Sequence, residues 1–305
     1  MNLRHMEVFR AVMHAGTVRG AAQILNVSEP AVSKLLAVAE RRSGLRLFER
    51  VKGRIMPTPD ARSLYAEIEA LWKGVERIRV TAQSLAKRTA SNLWVAGTAS
   101  LGTHLVPLVA AELYRTIPQL NLKVDMVPPV DVIRELLDGT ADVGVALAPP
   151  AHPKIAVAAR YSCSLVCVMP ADHPLAQRKA VRRADLAGQR IISFSRTLGS
   201  LEQTFSGLKL DMAVRSGPLA CWFAQAGVGV AIVDEPTVAG GRFAGLVARP
   251  LAPSAKVEVL VLYNVERPLS GAAKAFQKAF DDVWRAQMGN STASANRTKR
   301  AKQPA

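Results

Sequence analysis

Glu29, Pro30, Ser33 and Lys34 fall close together in the run NVSEPAVSKLLAVAE, and Glu29 to Ser33 and Pro30 to Lys34 are both four-residue steps. On a helix that spacing gathers a carboxylate, a hydroxyl and an ammonium along one outward edge. Such an edge offers hydrogen bonds to base edges and a cation to phosphate rather than a nucleophile to a substrate. Glu29 repels phosphate but can accept a hydrogen bond from cytosine N4.

Groups for covalent or metal chemistry do not assemble. The five histidines, His5, His14, His104, His152 and His173, pair with no serine or cysteine in a nucleophile motif and lack metal-ligand spacing. Gly227-Val228-Gly229 lacks the third glycine of a dinucleotide loop, and the run Gly97 to Gly102 has no following Lys-Ser or Lys-Thr. No cofactor or metal is expected, and the chain does not read as an enzyme. Cys163, Cys167 and Cys221 are odd in number and lie in apolar runs, which suits reduced core thiols in the cytoplasm. Arg4, Glu7 and Arg10 interrupt any leader-like apolar run, and no stretch is long enough to span a bilayer.

The elements that must position the polar edge are two helices within Thr17 to Ser43. Ser28 is predicted to cap the second helix through its hydroxyl, with Pro30 near the start where a missing N–H costs nothing, and Thr17 to cap the first. Ala21, Ala22 and Leu25 can meet Val32, Leu35, Leu36 and Ala39 inside, and the small residues let the helices cross closely. Taken alone, the pair reads equally as an ordinary helical hairpin. A preceding helix with Leu3, Met6, Phe9, Val12 and Met13 on one face supplies a third element. After the pair, Leu45, Leu47 and Phe48 turn toward a core, and Lys52-Gly53-Arg54 forms a basic hairpin tip, a winged arrangement.

With these flanks, residues 1 to about 60 resemble the DNA-binding domain of LysR-type transcriptional regulators. AVSKLLAVAE matches that family's recognition helix and GLRLFER its wing. The resemblance implies a DNA-binding set of Thr17, Arg19, Ser28, Glu29, Pro30, Ala31, Ser33, Lys34, Lys52 and Arg54. The sequence departs from the family pattern where Lys34 and Leu35 replace the usual Arg or Gln, and where Glu29 replaces a frequent Gln. Lysine makes a point contact where arginine would make a bidentate one.

Charge agrees. The chain of 305 residues carries a net charge of +16, of which +8 lies in residues 1 to 90 and +4 in residues 91 to 289. The positive charge is densest where a nucleic acid would lie, and counterion release would supply sequence-independent affinity. A basic balance alone fits RNA or an anionic membrane as well.

From Asp60 to about Arg88, Leu64, Ile68, Leu71, Val75, Ile78, Ala82 and Leu85 repeat at alternating four- and three-residue steps. That is a heptad seam, and it predicts a dimerisation helix carried by Leu64, Ile68, Leu71, Val75, Ile78 and Leu85. An amphipathic helix lying on its own domain is the alternative. The family resemblance favours a linker joining two DNA-binding domains, with Lys87 to Ala90 as a hinge.

From Asn92 the texture alternates. Strands are predicted at 93–96, 122–127, 143–147, 165–169, 190–193, 211–214, 228–233 and 257–263, with helices at 101–114, 130–137, 218–226 and 269–287. Buried strands separated by helices predict parallel sheets covered on both faces. The resemblance extends through this half as a two-lobed, periplasmic-binding-protein-like (type 2) effector domain. The resulting architecture is α plus α/β: a winged helix-turn-helix over 1–59, a linker helix over 60–89, and an effector domain over 90–289. Lobe 1 is expected at about 90–161 and 267–289, lobe 2 at about 162–266, and residues 290–305 as a disordered basic tail.

In such a fold a ligand sits between lobes, beyond strand carboxyl ends. The effector-binding candidates are Ser100, Leu101, Gly102 and Thr103 after the first strand, Pro128 and Val130, Ser195 and Thr197, Ser216 and Leu219, and Asp234, which could hold a cationic group. NLRH, FERVKGR, Pro57-Thr58, DHPLA and SFSRT look like the branch that holds the family's namesake and the regulators of opine catabolism. The inducer class this implies is a basic amino acid or an amino-acid derivative such as an opine. The implied partners are double-stranded DNA with an interrupted inverted repeat, the small-molecule effector, a second copy in a homodimer or homotetramer, and RNA polymerase, with no membrane. A solute-binding or sensor protein without DNA function would explain residues 92 to 289 but leave the first 90 without purpose.

Overall fold

The computed structural model describes residues 1–51, 54–87, 92–194 and 210–289. The chain divides into two compact units, Met1–Ala82 and Gln83–Ala305.

In the first unit α1 (Leu3–Ala15) begins with Asn2, whose Oδ1 accepts from the His5 amide at 3.0 Å while His5 Nδ1 accepts from the Asn2 amide at 3.2 Å. Gly16 ends it at φ 68°, a left-handed conformation that glycine adopts without steric cost. Thr17 then caps α2 (Val18–Leu25), its Oγ1 accepting from the Gly20 amide at 3.0 Å. Asn26, left-handed at φ 53°, turns the chain into α3 (Glu29–Ser43). Val8, Phe9, Val12, Ala21, Val32 and Leu36 form the shared core, and each large apolar side chain so buried contributes about 1.5–3 kcal/mol.

The wing follows as an antiparallel pair, β1 (Phe48–Val51) and β2 (Arg54–Pro57), with Val51 opposite Arg54. Lys52 lies outside the described residues. Helix α4 spans Pro59–Lys87. Its expected seam divides. Ile68 is only 2% exposed and Leu64 half-buried, both packing on their own domain's core, whereas Leu71 is 45% and Ile78 71% exposed. Val75 is half-buried, and the side chain of Leu85 lies outside the described residues. Ile68 is therefore occupied at home and not available to a second copy.

In the second unit β3 (Asn92–Gly97), β4 (Asn121–Met126) and β5 (Val143–Leu147) run parallel, with β3 between the other two. Helix α7 (Pro129–Asp138) connects β4 to β5. The helix predicted at 101–114 is broken in two, α5 (Ala99–Gly102) and α6 (Leu105–Thr116), because His104 has non-helical backbone at φ −128° and ψ −63°. A second parallel trio is β8 (Ile191–Phe194) between β9 (Met212–Val214) and β10 (Val230–Asp234). Helix α8 (Gly217–Gln225) connects β9 to β10, and the short α9 (Glu235–Val238) follows.

The two trios are joined by antiparallel strands, so the expectation of purely parallel sheets is corrected to mixed ones. Strand β6 (Ile155–Pro170) pairs over Ile155–Ser164 with β12 (Lys256–Asn264), then over Leu165–Pro170 with β10 and with β11 (Leu246–Ala252), while β7 (Val181–Arg182) pairs with β11. Only the second part of β6 was expected as strand, since IAVAAR alternates poorly and is rich in alanine; Arg249 and Pro250 hid β11 in the same way. Strand β12 pairs antiparallel with β5. It therefore lies in the first trio's sheet, although the expected lobe boundaries grouped it with the second. Helix α10 (Gly271–Met288) closes the unit, burying Phe276, Phe280 and Trp284.

Candidate nucleic-acid interface and ligand cleft

Helix α3 presents the polar edge as its sequence spacing requires. Ser28, Glu29, Pro30, Ser33 and Lys34 are exposed, Ala31 is half-buried, and Val32, Leu36 and Ala39 face the core. The exposed edge continues through Ala37 and Arg41, which the sequence reading left out although both continue the four-residue step from Glu29 and Ser33. Ser28 takes the N-cap position, but its hydroxyl makes no capping bond. Its carbonyl instead accepts from the Ala31 and Val32 amides at 3.0 and 3.2 Å. The hydroxyl is thus left at the surface. Thr17 and Arg19 are also exposed, and Arg19, Gln23, Asn26, Ser28 and Glu29 line an open depression of about 500 Å³ between α2 and the start of α3.

The wing is anchored to the same helix. Glu40 of α3 accepts through Oε1 from the Leu47 and Phe48 amides at 2.8 and 3.1 Å. Thr58 donates through its hydroxyl to the Arg46 carbonyl at 2.8 Å and caps α4 by accepting from the Ala61 amide at 3.1 Å. On α1, Arg10 pairs with Glu69 at 2.6 Å and lies 5.2 Å from the centre of the Trp72 ring. These three ties hold α3, the wing and α4 in one geometry. Backbone pairing places Arg54 at the start of β2.

In the second unit Ser100 and Leu101 are buried, Gly102 is half-buried and Thr103 exposed. The Leu101, Gly102 and Thr103 amides are taken by the carbonyls of Thr98 and Ala99, so these three effector-binding candidates have no free backbone donor to offer a ligand. Leu101 belongs to the apolar core. Asp234 does not face a ligand: it is 0% exposed, accepts from the Thr237 amide at 3.0 Å and from its hydroxyl at 3.1 Å, and also bonds to Ser100. Burial pushes its carboxyl up to about 6, against the lowering effect of those hydrogen bonds. Its role is to cap α9 and tie Ser100 to the second trio, which corrects the expectation that it holds a cation.

Pro128, Val130 and Leu219 are exposed, and Ser216 is a half-buried N-cap of α8 without a side-chain capping bond. Ser195 and Thr197 lie outside the described residues. The structure adds three groups at the turn after β3. Thr98 Oγ1 and His104 Nε2 are buried and lack a hydrogen-bond partner among the described residues, and Arg242 donates to the Thr103 carbonyl. Burial, then the nearby Arg242, lowers the His104 pKa. Nothing local in the sequence marked Arg242, which lies in a glycine-rich stretch and 139 residues from its partner.

A winged helix-turn-helix on a long helix, followed by a two-lobed mixed α/β unit, defines a ligand-responsive transcription factor. Comparison with known proteins agrees. Residues 3–62 match the model of the bacterial regulatory helix-turn-helix protein, lysR family, and residues 87–285 that of the LysR substrate binding domain. The chain is 33% identical over 285 residues to the transcriptional activator protein LysR of Escherichia coli (strain K12), covering 90% of this chain and 91% of that one. It is 32% identical over 192 residues to the octopine catabolism/uptake operon regulatory protein OccR of Rhizobium meliloti, covering 63% and 64% of the two chains. Full-length CbnR, solved in complex with its target DNA, has the same fold at a TM-score of 0.74 and 19% identity, covering 93% of this chain and 100% of that one.

The chain belongs to the LysR family of bacterial transcriptional regulators. Regulators of this kind bind operator DNA, respond to small molecules and form oligomers. Among the described residues no helix is long and apolar enough to cross a membrane.

Proposed function

We propose that this regulator acts in the cytoplasm on an interrupted inverted-repeat operator. In this reading α3 enters the major groove of each half-site. Thr17, Arg19, Ser28, Glu29, Pro30, Ala31, Ser33 and Lys34 meet DNA there, and Lys52 and Arg54 meet the backbone from the wing. The observation that carries it is the exposed edge of α3 within the first 90 residues, of net charge +8, fixed by Glu40 and Thr58. Two copies pair along α4 through Leu71, Ile78 and Leu85, and two such dimers form a homotetramer that can meet RNA polymerase. Tethering lets each weak module gain affinity from the other.

The effector is a basic amino acid or an amino-acid derivative of the opine class, taken up between the lobes near Ser100–Thr103, Pro128, Val130, Ser195, Thr197, Ser216 and Leu219. Support comes from the OccR relative, a regulator of octopine catabolism and uptake, and from the unpartnered Thr98 hydroxyl at the same turn. A ligand acts by preferring one arrangement of the oligomer.

Gel shift against the intergenic DNA upstream of its own coding sequence tests the DNA reading. Retarded wild type and at least tenfold weaker binding by Ser33→Ala/Lys34→Ala are expected; unchanged binding by the double variant refutes the docking edge. Thermal shift with lysine, arginine and octopine tests the effector class, which a flat response would remove.

A further inference from the structure

Along α3, Glu29, Ser33, Ala37 and Arg41 succeed one another at four-residue steps, all exposed. They form one ridge, and the small side chains of Ser33 and Ala37 leave its middle low enough for the helix to approach a groove floor. At the amino-terminal end of this ridge stands the one carboxylate on the exposed edge. Glu29 makes no ion pair or hydrogen bond among the described residues, in contrast to Glu40 on the same helix, Glu7 with Arg4 and Glu69 with Arg10. Beyond its place in the first turn of α3, where a carboxylate complements the helix dipole, Glu29 has no structural partner among the described residues.

Within a DNA groove walled by phosphates, such a carboxylate raises the energy of every complex in which it finds no donor. The major groove presents only two base donors, the N4 amine of cytosine and the N6 amine of adenine. Adenine sets its N7 lone pair beside that amine, which repels a second carboxylate oxygen, whereas the cytosine edge carries no acceptor there. Guanine and thymine offer acceptors alone. The comparison selects one base.

We infer that Glu29 is a specificity-determining residue that accepts a hydrogen bond from the N4 amine of a cytosine in each operator half-site, and that its unpaired charge rejects the other three bases at that position. This rests on the DNA-binding reading above and adds the identity of a base pair. Discrimination arises as much from the penalty in wrong sites as from the bond in the right one.

Binding-site selection from a random duplex library, run with the full chain as wild type, Glu29→Gln and Glu29→Ala, tests it. Wild type is expected to enrich C·G at one position of each half-site, Glu29→Gln to move that position to A·T because an amide pairs with adenine N6 and N7, and Glu29→Ala to lose the preference there alone. Replacing the selected cytosine by pyrimidin-2-one, which lacks the N4 amine, should then weaken wild type about tenfold per half-site while leaving Glu29→Ala unaffected beyond the duplex's own change. Identical consensus sequences for all three proteins, or equal sensitivity of wild type and Glu29→Ala to the analogue, would overturn the assignment while the DNA-binding reading stands. Wild type enriching no sequence would overturn both.

Discussion

Arg242 donates through Nη1 to the Thr103 carbonyl at 2.6 Å and through Nη2 to the Thr237 carbonyl at 2.9 Å. One guanidinium from the region after β10 thus holds the turn after β3, with Asp234 holding Ser100 beside it. The candidate effector turn and the second trio of strands are coupled through these two side chains. Arg242→Met is expected to raise hydrogen–deuterium exchange over residues 99–104 and to cost about 1 kcal/mol of stability. Unchanged protection there would show that the contact couples nothing.

Asp234 should make stability depend on pH with an unusual sign. Its folded value, about 6, exceeds that of an exposed carboxyl near 4, so the native state binds the proton more tightly than the unfolded chain. Stability from this group is full below about pH 4 and is lost as pH rises through 6, on the order of 3 kcal/mol in all. Asp234→Asn retains the cap acceptor for Thr237 and removes the titration. The melting temperature of wild type relative to the variant should fall between pH 4.5 and 7.5; a constant difference refutes the shift.

Glu40 fixes the wing by accepting from two amides at the start of β1. Removing a charged acceptor from paired donors costs about 2 kcal/mol. Glu40→Ala should lower the thermal stability of the DNA-binding unit and weaken operator binding, whereas Glu40→Gln keeps an acceptor and loses less. Equal behaviour of the two variants would deny the carboxylate its role.

The three thiols are predicted to be inert. Burial pushes Cys167 and Cys221 up to about 12, and pushes Cys163 up as well, with Asp234 adding to the effect at Cys163 and Cys221. Thiolate is the reactive form, so Ellman's reagent should titrate none of them in the native chain at neutral pH and all three in denaturant. Rapid native labelling at any one would contradict their placement in the core.

Leu71 and Ile78 expose apolar surface on the helix that also buries Ile68 at home. Leu71→Asp/Ile78→Asp should give a chain that sediments as a smaller species than wild type, with its DNA affinity reduced about a hundredfold by loss of tethering. A double variant that sediments like wild type at micromolar concentration would place the pairing surface elsewhere.

Local spacing determined the two helices and their outward edge, because helical periodicity assigns each residue of α2 and α3 to a face before anything else folds; the flanking helix and wing were needed to tell a helix-turn-helix from an ordinary hairpin. It likewise located β3, β5, β10 and β12, whose apolar runs leave little choice. Tertiary structure decided what depends on contacts between distant residues: that Ser28 leaves its hydroxyl free, that Ile68 packs inward while Ile78 does not, and that β6 and β12 run antiparallel across the unit. It also turned Asp234 from a supposed ligand group into a buried cap and brought Arg242 to Thr103. Periodicity reports a residue's relation to its own element, whereas hydrogen-bond partners, burial between elements and pKa shifts are set by neighbours that only the folded chain supplies.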